Sequence, residues 1–102
     1  MEGNTMSHFT TVRTDLDRMS ESIAALRHDH GFGYHQIAAW AERLAITQAI
    51  NEAQGVKLKA ARSLGLNRVT LDRKIEEFGL MVERGIGVSN VEHEPLAQLI
   101  AV

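Results

Sequence analysis

The chain has 102 residues, of which 44% are hydrophobic and 24% charged, with formal net charge −2, no cysteine, one proline and one tryptophan. That length suits one domain, and these ordinary fractions exclude collagen-like, low-complexity and wholly disordered chains. Without cysteine there is no disulfide scaffold, thiol nucleophile or thiolate-held metal, and no apolar run approaches the roughly 18–20 residues that span a bilayer.

Residues 1–14 carry small, polar and β-branched side chains with no helical period, and are expected to be a flexible or arm-like N-terminus. Met1-Glu2-Gly3-Asn4-Thr5 lacks the basic-then-apolar plan of a secretory signal, so a cytoplasmic protein without a membrane partner is expected. Residues 15–54 read as a helical dimerisation region. In its first helix, from Asp15 to about Arg27, Leu16, Met19, Ile23 and Leu26 make one apolar stripe, with Thr14 or Asp15 as the cap. Two glycines in His28-Asp29-His30-Gly31-Phe32-Gly33 break the pattern, and a second helix runs from about Tyr34 to Gln54. Its apolar positions include Ile37, Trp40, Leu44 and Ile50. So wide a face exceeds what one short partner helix can cover, which points to a second copy of the chain and hence a homodimer. Gly55 is placed just past the helix end, where positive φ costs glycine nothing.

Residues 55–80 form a helix-turn-helix pattern. Leu58, Ala61 and Leu64 make a short helix, and Gly65-Leu66-Asn67 a tight turn. Leu71, Ile75 and Phe78 make a second short helix that Gly79 stops, with Asn67 as its N-cap. The charge is distributed to match. Residues 1–54 are net −3, residues 55–74 net +5 and residues 75–102 net −4. The nearly neutral total conceals a strongly basic block. Residues 81–102 read as a linker, rich in Gly85, Gly87, Ser89 and Asn90, and an apolar tail from Leu96 to Val102 in which Pro95 can open a last helical turn.

In such a motif the second helix enters the major groove with its N-terminal residues at base edges, while the first helix and the turn meet the backbone. The DNA-contacting candidates are therefore Asn67, Arg68, Thr70, Asp72, Arg73 and Lys74 on the recognition helix, about residues 67–78. Lys57, Lys59 and Arg62 are the phosphate contacts. Arginine donates twice to guanine, asparagine suits adenine, threonine offers a hydroxyl and a methyl, and Asp72 can accept from a cytosine amine.

The run Ala60-Ala61-Arg62-Ser63-Leu64-Gly65-Leu66-Asn67-Arg68, followed by Thr70-Leu71, Lys74 and Glu77-Phe78-Gly79-Leu80, resembles the Fis family, the factor for inversion stimulation. It is similar also to the domains at the C-termini of nitrogen-regulation-type enhancer-binding activators. The resemblance covers Leu44 to Leu80 and implies an all-α fold: a helical dimerisation bundle followed by a Fis-type helix-turn-helix, in a homodimer bound to double-stranded DNA. It also implies that Asn67, Arg68, Thr70, Arg73 and Lys74 contact DNA and that Lys57 contacts its backbone. The chain departs from the family in Asp72, in Glu76-Glu77 and in Val56, which replaces a polar residue. Acids beside phosphates repel them, so a sequence-selective transcription regulator is expected rather than a promiscuous nucleoid binder.

His28, His30 and His35 surround the glycine-rich loop, and are read as solvated residues of a connection rather than metal ligands. No phosphate-binding glycine-lysine loop, Ser-His-Asp order or paired carboxylate is visible, so neither an enzyme, a cofactor nor a small-molecule substrate is expected. The alternative class is an interaction module that uses the bundle and tail to bind RNA polymerase or another regulator, with DNA secondary.

Overall fold

The computed structural model describes residues 2–90, with side chains from Phe9 onward. Four helices precede one small hairpin: α1 (Glu2–His30), α2 (Tyr34–Glu52), α3 (Lys57–Leu64), α4 (Arg68–Glu77), β1 (Val82–Glu83) and β2 (Gly87–Val88). The architecture is all-α, with the strands reduced to a two-residue antiparallel pairing. The tail from Leu96 to Val102 and the helical turn expected at Pro95 lie outside the described residues. Contacts divide the chain into two units, Met1–Ala39 and Trp40–Val102.

In the first unit α1 begins at Glu2, thirteen residues before the helix start expected at Asp15. Nucleation is the costly step of helix formation, and extension of an existing helix costs little per residue even through Thr and Ser. Thr14 is interior, its hydroxyl donating to the Thr10 carbonyl at 2.9 Å, and Asp15 pairs with Arg18 at 3.6 Å rather than capping. The longer helix extends the apolar stripe to Phe9, Val12, Leu16, Met19, Ile23 and Leu26, whose separations alternate between three and four residues. The first four are exposed and the last two half-buried. Phe32 is buried in the connection and its N–H returns to the Leu26 carbonyl at 3.0 Å. The Gln36 side chain then reaches back to accept from the Gly33 N–H at 2.9 Å, which fixes the start of α2.

The second unit closes around Ile46, Ala49, Ile50, Ala53, Ala60, Ala61, Leu71, Ile75, Leu80 and Val88, with Leu64, Phe78 and Val82 packed at its margin. Ile50 and Leu71 are fully buried. Ile50 is therefore a core residue of its own chain and cannot serve the dimer contact expected from sequence. Ala60 and Ala61 let α3 and α4 approach closely. At the end of α3, Gly65 takes the left-handed conformation at φ 69°; its N–H donates to the Arg62 carbonyl, and the Leu66 N–H donates to that of Ala61 at 2.9 Å. These bonds satisfy carbonyls that the helix end leaves open, and the chain emerges at the angle that starts α4. Asn67 caps α4, its Oδ1 accepting from the Thr70 N–H at 2.8 Å.

Arg43 carries a second link between elements. Buried on α2, it donates from Nη1 to the Phe78 carbonyl at the end of α4, at 2.8 Å, and lies 5.6 Å from the Trp40 ring. A guanidinium at a helix C-terminus meets both an open carbonyl and the negative end of the helix dipole.

Residues 81–90, expected to be a flexible link, form a hairpin instead. Val82 pairs with Val88 and Glu83 with Gly87. Ile86 and Val88 alternate with Gly85 and Gly87, and a three-residue loop holding a positive-φ Gly85 is a favoured hairpin connection. The hairpin is tied to the end of α2: Gly85 N–H donates to the Gln54 carbonyl at 2.6 Å, and Val88 N–H to Asn51 Oδ1 at 2.8 Å. Asn90 locks its base, donating to the Gly79 carbonyl and accepting from the Met81 N–H. Gly55 has the positive φ expected just past α2, at 79°, and its N–H donates to the Ile50 carbonyl at 2.9 Å, but it is the second left-handed residue there and has a further role. Gln54, at φ 52°, takes the first left-handed position after α2, while a Cβ on Gly55 would collide with the Glu83 carbonyl oxygen.

Candidate nucleic-acid interface

Burial along α4 decides which of its side chains face out. Leu71 and Ile75 point into the core; Thr70 and Lys74 are half-buried; Arg68, Val69, Asp72, Arg73, Glu76 and Glu77 are exposed. The outward stripe thus starts basic at Arg68 and ends acidic at Glu76 and Glu77. With ten residues, α4 is about 15 Å long, so only its first two turns offer positive charge and base-reading chemistry together.

Thr70 and Lys74, two of the sequence-expected contacts, turn to the flank. With Glu42, Ala45, Ile46, Leu64 and Leu66 they line a shallow hollow of about 230 Å³. Lys74 Nζ lies 2.9 Å from Glu42 Oε2 and 3.3 Å from Glu77 Oε2. The hydrogen bond to Glu42, followed by that to Glu77, raises the Lys74 pKa above its usual 10.5. This ammonium clamps α4 to α2 and is not a free contact. Asn67 is similarly committed. Its Oδ1 accepts from the Thr70 N–H, so a two-bond contact to adenine would share that oxygen with the helix cap.

Asp72 sits between two of the expected cations. Its carboxylate lies 3.6 Å from Lys57 Nζ and 3.8 Å from Arg68 Nε. All three side chains are substantially exposed, and such pairs contribute about 0–1 kcal/mol, so an arriving phosphate or base can displace the carboxylate cheaply. Asp72 is weakly paired with Lys57 and Arg68, and a contact with a cytosine amine would compete with those pairs. Lys59, Arg62 and Arg73 are exposed and make no ion pair among the described residues.

Two further residues join this surface without having been marked by the sequence. Val69 is 67% exposed at the first turn of α4 and offers methyl groups beside Arg68. Arg84, at the hairpin turn, lines a groove of about 360 Å³ together with Gly55, Val56, Lys57, Leu58, Arg68 and Val82. The exposed face of α4 follows from the period of Leu71 and Ile75, so Val69 could have been found by placing those two in the core. Among the described residues no His, Asp and Glu side chains cluster so as to hold a metal ion, and no helix is long and apolar enough to cross a membrane.

Comparison with known proteins identifies the element. Residues 39–78 match the model of the bacterial regulatory protein, Fis family. These residues are a Fis-family helix-turn-helix domain. A stretch of 53 residues is 38% identical to the DNA-binding transcriptional regulator NtrC of Azospirillum brasilense, covering 52% of this chain and 11% of that protein. The chain thus spans about a tenth of the length of the curated relative it matches, and no solved structure gives a significant match. The Fis-family domain takes in most of α2, all of α3 and α4, and every sequence-expected contact from Lys57 to Lys74. α1 and the hairpin that carries Arg84 lie beyond it.

Proposed function

We propose that the chain is a transcription regulator that binds duplex DNA sequence-selectively as a homodimer, acting by binding rather than by catalysis, in the cytoplasm and on the nucleoid. The observation that carries this is the outward stripe Arg68, Val69 and Arg73 at the start of α4, flanked by Lys57, Lys59 and Arg62 from α3. Arg68 suits a two-bond contact to guanine O6 and N7, and the Val69 methyls suit contact with a thymine methyl. The α3 cations supply sequence-independent, salt-sensitive attraction to phosphates. Asp72, Glu76 and Glu77 oppose indiscriminate binding by repelling phosphates wherever the basic residues are not correctly seated.

The homodimer is supported by α1. Phe9, Val12, Leu16 and Met19 stay exposed in the single chain, and with Ile23 and Leu26 they keep the alternating three-and-four spacing of a helix–helix seam over three heptads. Leu44 on α2 is also exposed and open to a partner, while Ile37 and Trp40 are half-buried. Two copies would address half-sites about 34 Å apart, or closer ones on bent DNA.

An anisotropy titration of genomic duplex fragments at rising salt tests the reading. Binding that weakens steeply with salt, with Arg68→Ala lowering affinity and relaxing base preference, is the expected result. No binding to any fragment at low salt would overturn it in favour of a module that docks on polymerase or another regulator.

A further inference from the structure

We infer that the hairpin is a second DNA-contacting element, in which Arg84 grips the sugar–phosphate backbone beside the site of α4. This rests on the duplex-binding reading above. Four observations converge on it. Arg84, Lys57 and Arg68 come from three different elements and line one groove. Val82 and Arg84 face that groove while Glu83, between them, is absent from its lining, so the acid next to Arg84 does not neutralise it there. Arg84 makes no ion pair among the described residues, in contrast to Lys57 and Arg68, which share Asp72. The groove also includes the start of α3, whose N-cap is Val56 and provides no side-chain acceptor for the first-turn N–H groups. Three cations and uncapped N–H groups against one exposed carboxylate form a receptor for an anion.

The occupant is fixed by where the groove lies. Arg68 belongs both to the groove and to the outward stripe of α4, so a duplex seated on that stripe carries its backbone past Arg84. The hairpin is built to hold this position. Its turn is bonded to the end of α2 through Gly85 and its second strand through Val88, and Asn90 ties its base to the Gly79 carbonyl just past α4. The cation is therefore presented from an anchored support and loses little freedom on contact. Because phosphates carry no base identity, Arg84 adds affinity and registers the protein on the duplex without contributing to the choice of sequence.

The test compares wild type, Arg84→Ala, Arg84→Lys and Arg68→Ala by anisotropy with one bound duplex over a range of salt. Arg84 is exposed, so each hairpin variant should melt as wild type does. Arg84→Ala should bind roughly tenfold more weakly on every sequence tested, and the slope of log affinity against log salt should become shallower by about one. Arg84→Lys should keep most of the slope, and Arg68→Ala should alter base preference as well as affinity. Wild-type binding with an unchanged affinity and slope in Arg84→Ala would overturn the inference while leaving the proposed function standing. A changed base preference in Arg84→Ala would overturn it by making Arg84 a base reader. Inorganic phosphate, compared with chloride at matched ionic strength, should leave the difference between wild type and Arg84→Ala intact. Selective loss of that difference would assign the groove to a free phosphate ligand instead. If wild type binds no duplex at all, the proposed function and this inference fail together.

Discussion

Alanine at Gly55 should destabilise the protein more than alanine at Gly65, although both glycines have positive φ, 79° and 69°. The left-handed backbone costs an ordinary residue about 1–2 kcal/mol, a penalty common to both sites. Around Gly65 a Cβ meets nothing within 4 Å, so that penalty is the whole expected loss. At Gly55 the same atom would strike the Glu83 carbonyl oxygen and stand 2.8 Å from the Glu83 carbonyl carbon and 2.9 Å from the Arg84 Cα. Backbone atoms cannot rotate away as a side chain can, so the hairpin must move. That strains the Gly85 and Val88 hydrogen bonds to α2 and loosens the cover over the buried core. Overpacking of this sort adds about 1–3 kcal/mol, giving a total of roughly 2–5 kcal/mol for Gly55→Ala. Urea unfolding followed by helical circular dichroism and Trp40 fluorescence, at one fixed protein concentration because the proposed dimer would contribute to stability, measures both variants. Equal losses would refute the reasoning, because they would mean that the hairpin does not press on the Gly55 turn.

Asn67→Ala removes the cap of α4 and should cost about 1 kcal/mol in the same urea experiment, before any effect on DNA is considered. Arg43→Met deletes the charged donor to the Phe78 carbonyl and should cost about 1.5–3 kcal/mol; a neutral result would show that water replaces the guanidinium there. Glu42→Gln should lower the Lys74 pKa toward its ordinary 10.5, read by NMR titration of the ammonium. Since that pKa is raised in the folded chain, the clamp is complete below 10.5 and fades only as pH rises through the higher folded value, so it adds no pH dependence of stability near neutrality. Leu16→Asp with Met19→Asp places charge in the α1 seam and should shift a sedimenting dimer to monomer at micromolar concentration, while a dimer of unchanged stability would place the contact elsewhere.

The helix-turn-helix was legible because each of its devices is local. The Ala61–Leu64 and Leu71–Ile75–Phe78 positions, the glycine at the turn and the Asn67 cap all act within a few residues and appear in the structure, whereas Leu58, expected in the first stripe, is exposed and Ala60 takes the core position. The +5 block was legible for the same reason, since charge can be counted along the chain. What escaped depends on long-range contacts. Lys74 reads as a DNA contact until Glu42, thirty-two residues earlier, is brought to 2.9 Å from it. Ile50 reads as part of an open face until the core closes over it. The glycines and serine after Leu80 suggest a flexible link, yet Val82, Ile86 and Val88 carry a hairpin signal that only its bonds to Asn51 and Gln54 make decisive. The N-terminal half of α1 escaped for a different reason: its weak local propensity is overridden by continuity with the stronger segment behind it.

Selection of bound sequences from a random duplex pool, run in parallel on wild type and Arg68→Ala, addresses the central claim most directly. Wild type should enrich a two-fold symmetric motif whose half-sites carry a guanine that Arg68→Ala no longer selects. A pool that emerges without enrichment, or with a motif unchanged by the substitution, would contradict the assignment of the exposed start of α4 as the reading surface.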